Sequence, residues 1–236
     1  MRRVLLSLAA AAVLLGLGAS GAKADNIVFN PHRLTFTYNT FQPWRALGEN
    51  NTDVANGTTV TSVGGVVSTT ITFRRGGPGQ SLQEGSTWDG NFSAGQTVLA
   101  SLNTAGQSQG AITLDFSQGV AGVGLQIQSL TSGIFHAEIE GFDGSTPLGT
   151  FFAQGDSTNA NNNSAIFLGF QDLTAPDITS ITVLTFGCAG GCDGFAINRL
   201  LFETQTTTTT PEPASLALLG SGLLALGLLR RKLRQS

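Results

Sequence analysis

Residues 111–140 read Ala-Ile-Thr-Leu-Asp-Phe-Ser-Gln-Gly-Val-Ala-Gly-Val-Gly-Leu-Gln-Ile-Gln-Ser-Leu-Thr-Ser-Gly-Ile-Phe-His-Ala-Glu-Ile-Glu. Three times in this stretch apolar side chains recur at every second position: Ile112, Leu114 and Phe116; Val123, Leu125 and Ile127; Phe135, Ala137 and Ile139. Side chains on a strand point alternately to opposite faces, so each set predicts a half-buried strand with one face inward and one wet. The pattern continues outward. Leu34, Phe36 and Tyr38 alternate with threonines, Ile71 and Phe73 flank Thr72, and Ile166, Leu168 and Phe170 form another set. Further strands are expected near 26–30, 59–67, 97–102, 148–153, 178–186 and 194–203. Turn signals separate them at Arg75-Gly76-Gly77-Pro78-Gly79, at Asp143-Gly144-Ser145 and in the asparagine run 159–163. With no helical stretch between them, these short strands predict an all-β fold, a single β-sandwich of jelly-roll type. Parallel α/β architecture is excluded because its crossovers need helices.

Both ends of the chain differ from this domain. Arg2 and Arg3 precede an apolar run from Val4 to Leu17, and Ala22-Lys23-Ala24 supplies small residues for cleavage before Asp25. This is the layout of a signal peptide over residues 1–24, with an uncleaved anchor helix as the alternative. At the other end, Pro211-Glu212-Pro213 leads into an uncharged run from Ala214 to Leu229, closed by Arg230, Arg231, Lys232 and Arg234. As a helix, the run of residues 214–229 would reach about 24 Å, short of the ~30 Å hydrocarbon core. The basic residues can snorkel to close the gap and keep that end cytoplasmic. A permanent single-pass anchor would look the same over the helix, but has no need of the Pro-Glu-Pro triplet.

The tail over residues 211–236 resembles the PEP-CTERM sorting signal of Gram-negative bacteria that make extracellular polysaccharide, with Thr210 where that family usually has valine. The resemblance implies a sorting motif in Pro211, Glu212, Pro213, Arg230 and Arg231, with an exosortase as the processing partner and a transient stay in the inner membrane. Residues 25–203 form the predicted ectodomain and the threonine-rich 204–210 an extended linker, because such a run cannot bury a core. Within the domain, Val123–Ser129, Glu140–Ser145, Phe167–Phe170 and Gly194–Leu200 are similar to jelly-roll ectodomains of PEP-CTERM proteins. Asn198 and Arg199 stand where those more often have Asp and Asn. The likeness covers roughly residues 110–203 and speaks to fold more than activity.

Between the two end segments about 186 residues remain, enough for one sizeable core. They carry five arginines, no lysine and fourteen carboxylates, a formal balance of −9. Such a surface repels phosphate backbones and speaks against a nucleic-acid partner. It is compatible with bound Ca²⁺ or with solubility outside the cell.

Cys188 and Cys192 bracket Ala-Gly-Gly in a turn, and an oxidising compartment favours a disulfide between them. Asp143 and Asp193 are loop acids of the kind that ligate calcium, although Asp-Gly turn formation explains them equally well. His136, Glu138 and Glu140 share one strand face, an arrangement that could bind a metal or do acid–base work, but alternating polar residues are what any solvated sheet face shows, and that is the expectation. Trp44 and Trp88, with Phe41 and Phe92, offer sugar stacking or core filling, and core filling is the expectation. Asn50, Asn56, Asn91 and Asn162 head Asn-x-Ser/Thr triplets and read as loop residues. Gly-x-Ser-x-Gly, phosphate-cradling glycine loops and zinc spacings are absent, and two histidines leave little material for a triad.

The sequence therefore predicts an exported, non-catalytic protein of the envelope or exopolysaccharide matrix. The rivals are a polysaccharide-active enzyme using carboxylates such as Glu138 and Glu140, and a permanently anchored protein. Ice binding, a label this tail type has carried by association, needs regular threonine ladders, and the threonines here are scattered across unequal strands. Processing at both ends is open to intact-mass measurement on cell-surface material. The expected mature chain starts at Asp25 and lacks Arg230–Arg234, whereas recovery of those basic residues would leave the anchored reading.

Overall fold

The computed structural model describes residues 27–205 apart from residue 49. The cleavage-site residues Ala22, Ala24 and Asp25, the sorting residues Pro211, Glu212, Pro213, Arg230 and Arg231, and the expected helix 214–229 lie outside the described residues. Among those described, no helix is long and apolar enough to cross a membrane.

Fifteen strands are described: β1 Ile27–Asn30, β2 Thr40–Gln42, β3 Thr52–Val54, β4 Thr58–Thr61, β5 Ser68–Phe73, β6 Gly79–Gln83, β7 Thr97–Ala100, β8 Ile112–Val120, β9 Gly122–Ser129, β10 Gly133–Asp143, β11 Thr146–Ser157, β12 Ile166–Asp172, β13 Ile178–Phe186, β14 Phe195–Ile197 and β15 Leu200–Glu203. They form two sheets. One runs β11-β10-β13-β8-β5-β4; the other runs β1-β12-β9-β14-β7-β6-β3, with β15 pairing β9 and β2. The paired neighbours within named strands are antiparallel, so the all-β sandwich expectation holds.

The inner faces supply the main core. Leu114, Ile139 and Val183 of the six-stranded sheet meet Leu125, Ile127, Leu168 and Phe170 of the other. Each such side chain taken from water contributes roughly 1.5–3 kcal/mol. The outer faces differ. The six-stranded sheet is wet outside, as alternation predicts. The outer face of the nine-stranded sheet is covered: a second cluster places Leu82, Trp88, Phe92, Val98 and Ala196 together, and a third joins Phe36, Phe167 and Leu201.

That cover corrects the wet-face expectation for β9 and β12, all of whose residues except Ile166 are buried. The polar residues of β9 are accommodated by amide pairing. Asn198 donates from Nδ2 to Gln126 Oε1 (2.6 Å) and accepts from the Gln126 N–H (2.7 Å). Gln128 accepts from the Asn91 N–H (2.6 Å) and donates to Asn91 Oδ1 (3.0 Å). Asn91 is therefore a buried junction rather than an ordinary loop residue. Asn198 also interrupts the final strand. It splits the expected 194–203 into β14 and β15, which lie one after the other along β9.

The strand expected at Leu34, Phe36 and Tyr38 does not form. Arg33–Thr35 make a 3₁₀ turn after Pro31, with the Thr35 hydroxyl donating to Asn30 Oδ1 (2.8 Å). The period of two there reflects Phe36 plugging the third cluster, while Leu34 is fully exposed. The expected 59–67 strand ends at Thr61 and turns into β5. Strands β2, β3 and β6 were missed; their residues are short, polar or glycine-led.

Glycines inside strands mark places where rings cross the backbone. A Cβ on Gly141 would lie 2.4 Å from Phe170 Cζ, and one on Gly155 would lie 2.5 Å from Phe135 Cζ. Gly141→Ala should destabilise the protein by about 1–3 kcal/mol, because Phe170 is locked in the core and has nowhere to move. A lowered denaturant midpoint with unchanged slope is the expected readout.

Candidate functional site

Covering one sheet leaves the outer face of the other as the broad solvated surface of the sandwich. Side chains from three neighbouring strands project from it in register. On β10, His136 stands between Gln154 of β11 and Phe186 of β13; Glu138 stands between Phe152 and Leu184; Glu140 stands between Thr150 and Thr182. The three residues thus share one face as the sequence implies, each half-buried beside fully buried Ala137 and Ile139.

No local pattern in the sequence signals that the flanking strands bring aromatics to them. The His136 ring stacks on Phe186 at 5.3 Å and 26°, and Phe152 meets Phe186 edge-on at 5.8 Å. Phe152 remains 57% exposed and Phe186 38%. Large apolar rings left in water on a rigid sheet are costly unless they meet a partner. His136 Nδ1 is buried without a hydrogen-bond partner, and a Cβ on Gly187 would lie 3.0 Å from it. Burial pushes the Glu138 carboxyl above its ordinary range, and the Glu140 charge two residues along adds to the rise.

Beside this platform, the 31–38 segment and strands β11 and β12 line a groove of about 930 Å³. Its walls include His32, Arg33, Tyr38, Asn163 and Gln154. Gln154 belongs to both surfaces, since its register partner is His136.

Elsewhere on the same face, hydroxyls pair across strands: Thr59 with Thr70 (3.1 Å), Thr61 with Ser68 (3.0 Å) and Thr113 with Thr182 (3.0 Å). Threonines scattered in sequence therefore do meet in space. Asp115 and Glu140 interrupt the rows, so they do not form a continuous ladder.

The remaining site residues are placed as follows. Cys188 and Cys192 form the disulfide, with Cα atoms 5.2 Å apart. It lies in the β13–β14 turn, where Ser129 Oγ and Cys188 Sγ are 3.4 Å apart. Asp143 sits at the β10–β11 hairpin tip, where the next residue's N–H donates to Thr179 Oγ1 (2.6 Å). Asp193 lines a different groove with Arg75, beyond the far end of β13 from Asp143. The two calcium candidates are thus not brought together, and Asp193 shares its groove with a guanidinium. Among the described residues, no group of three or more His, Cys, Asp or Glu is placed to hold a metal. Trp44, Trp88 and Phe92 are buried, as core filling requires, and Trp44 Nε1 donates to the Asn198 carbonyl (2.6 Å). Phe41 is half-buried with the Arg199 guanidinium 5.3 Å from its ring centre.

The tail gives a clear likeness. Residues 209–232 are a PEP-CTERM protein-sorting motif. The chain is thereby an exported, envelope-sorted protein of the kind processed by exosortase. No curated protein matches it. Among solved structures, it is similar to a DUF4465 family protein from Bacteroides caccae at 11% identity, covering 71% of this chain and 100% of that one with a TM-score of 0.40. A likeness that distant carries no argument about chemistry.

The raised Glu138 carboxyl makes a pH prediction with a definite sign. Its folded form binds a proton more readily than its unfolded form, so its contribution to stability is greatest below the ordinary carboxylate range. That contribution is lost as pH rises through the folded value. Glu138→Gln should flatten this part of the profile and leave the protein slightly more heat-stable at neutral pH. Melting temperatures across pH 4–8 for the two proteins check it.

Proposed function

We propose that the ectodomain is a non-catalytic glycan-binding module of the cell surface or exopolysaccharide matrix. The observation that carries this reading is the Phe152–Phe186–His136 platform, presented in water across the three strands at the β11 edge of the six-stranded sheet and bordered by Glu138, Glu140 and Gln154. Pyranose rings combine an apolar face with equatorial hydroxyls, and a ring platform edged by acceptors matches both. Carboxylates and amides accept hydroxyl hydrogens, while the phenylalanine rings take the C–H face. The threonine pairs extend the polar surface beyond the platform, and the groove at Tyr38 extends it past the sheet edge.

Glycan binding also fits the acidic surface, since neutral sugars are indifferent to the charge that repels nucleic acid. Export by the tail would deliver the module to where such polymers lie. The enzymatic alternative has one favouring observation, the raised Glu138 carboxyl, which suits a general acid. Glu138 and Glu140, however, lie side by side along one strand rather than facing each other across a cleft, leaving no placed partner for attack from the opposite face.

The test is retention of the purified mature protein on the producer's own polysaccharide. Phe152→Ala and Phe186→Ala are each expected to weaken retention about five- to tenfold, in line with ~1–1.4 kcal/mol per lost stack. Reducing ends should not accumulate. Their steady release, abolished by Glu138→Gln, would make the protein an enzyme. Unchanged retention in both phenylalanine variants would overturn the platform reading.

A further inference from the structure

Strand β13 outruns its neighbour β8. Its pairing with β8 stops at Val183 opposite Ile112, whereas its pairing with β10 continues to Phe186 opposite His136. Where β8 is missing lies a notch of about 420 Å³, lined by Leu184 and Thr185, by Arg74 and Arg75 just after β5, and by Cys192 of the disulfide turn. Consecutive residues of a regular strand point to opposite faces, so two neighbouring arginines in one notch need a cause. The backbone supplies it. The Arg74 N–H donates to the Ala111 carbonyl (3.0 Å) and the Arg75 N–H to the Gln109 carbonyl (3.0 Å), whereas a regular strand donates to one neighbour only from alternate residues. Such an irregularity re-aims side chains. Both stems lie against Gly110, where a Cβ would be 3.4 Å from Arg74 Cβ and 3.7 Å from Arg75 Cγ.

The chemistry of the notch is that of an anion acceptor. Arg75 Nη1 is held by the Ser108 carbonyl (2.8 Å), while the Arg74 side chain has no hydrogen-bond or ionic partner among the described residues. Thr185 Oγ1 is buried with no partner. Among the described residues, no carboxylate lines the notch; Asp193 lies in the neighbouring groove that Arg75 also borders. Two of the five arginines between the end segments, where fourteen carboxylates surround them in sequence, thus meet at a place lined by none.

We propose that the notch takes the carboxylate of an acidic sugar, so that the bound glycan is a mixed polymer of neutral and uronic units. This rests on the glycan reading of the aromatic platform and names the class of its ligand. A guanidinium fork matches a carboxylate with two parallel N–H groups, and the Thr185 hydroxyl is a further donor. Strand β13 joins the two places: Leu184 in the notch is the register partner of Glu138, and Phe186 of the platform follows Thr185 directly. The strand order β10-β13-β8-β5 sets Arg74 three strand spacings from Glu138, roughly 14 Å, a span for a short oligosaccharide. Charge is therefore divided across the face. Glu138 and Glu140 beside the platform favour neutral rings there, and the arginines receive the acidic one.

The experiment measures retention of the purified mature protein on the producer's own polysaccharide, native and after carbodiimide–borohydride reduction of its carboxylates to alcohols. Wild type, Arg74→Gln, Arg74→Gln/Arg75→Gln and Phe152→Ala are compared, with melting temperatures to confirm folding. Arg74 is exposed, so its single variant remains informative if the double one fails to fold. On the native polymer, Arg74→Gln should weaken retention about three- to fivefold and the double variant further, and added salt should weaken the wild type. On the reduced polymer the wild type should fall to the level of the double variant and lose its salt dependence, while Phe152→Ala weakens retention on both. Equal wild-type retention on the two polymers, or arginine variants that bind the native polymer as wild type does, would overturn the notch and leave the platform. Full retention of Phe152→Ala on both, with the arginine effect intact, would overturn the platform alone. An arginine effect that persists after reduction would overturn the carboxylate in favour of a sulfate or phosphate ester. Wild type retained on neither polymer would overturn both readings.

Discussion

The fold depends on keeping β9 dry on both faces. A strand with Gln126 and Gln128 on one side can be buried there only if every amide group finds a partner, since an unpaired buried amide costs roughly 1–3 kcal/mol. The partners come from distant points in the chain. Asn198 bonds Gln126 through its side chain and its own N–H, and Asn91 exchanges bonds with Gln128 while its Oδ1 also accepts from the Thr158 N–H (2.7 Å) and hydroxyl (3.0 Å). Glu84 reinforces the cover, its carboxylate accepting from the Gly90 (2.7 Å) and Phe92 (3.2 Å) N–H groups. Burial pushes that carboxyl up, partly offset by those bonds. Removing one member would strand several others, so the network acts as a unit.

This arrangement explains how the two sheets come to differ. The 84–96 loop, pinned by Glu84 and Asn91, and the 31–38 segment, pinned by Phe36, roof the nine-stranded sheet. Among the described residues nothing comparable roofs the other sheet, where His136, Glu138 and Glu140 meet solvent near its β11 edge beside exposed Phe152 and Phe186. The asymmetry of cover, more than any local motif, creates the candidate binding face.

How much of this was legible in the sequence follows from the range of each interaction. The strands with clean alternation, Ile112–Phe116 and Phe135–Ile139, were readable because one apolar face against one wet face is a local pattern. The β9 glutamines were misread as wet because their partners lie 72 and 37 residues away. Phe36 was misread because a ring docking from a 3₁₀ turn onto Phe167 leaves the same trace as a strand residue facing a core. The disulfide was readable because compartment and spacing fix it. The carboxylates at 138 and 140 were visible, but Phe152 and Phe186 come to them through strand register, which a single sequence specifies only weakly. Gly141 and Gly155 did carry a signal, glycines inside strand patterns, which marks close approach without saying of what.

The same register logic bears on what the platform can do. Neighbouring residues on one strand face are held about 7 Å apart along the strand, and paired strands lie about 4.8 Å apart. Functional groups fixed on such a grid are spread over a plane, so they can contact an extended ligand at several points without converging on one atom. Catalysis needs convergence: an acid and a nucleophile or base on opposite sides of a single bond. Binding along a polymer needs only repetition, with rings and acceptors at intervals comparable to sugar units. Two exposed rings, a histidine stacked on one of them, and carboxylates all pointing the same way form a spread of this second kind, and it is on that geometry that the binding proposal rests.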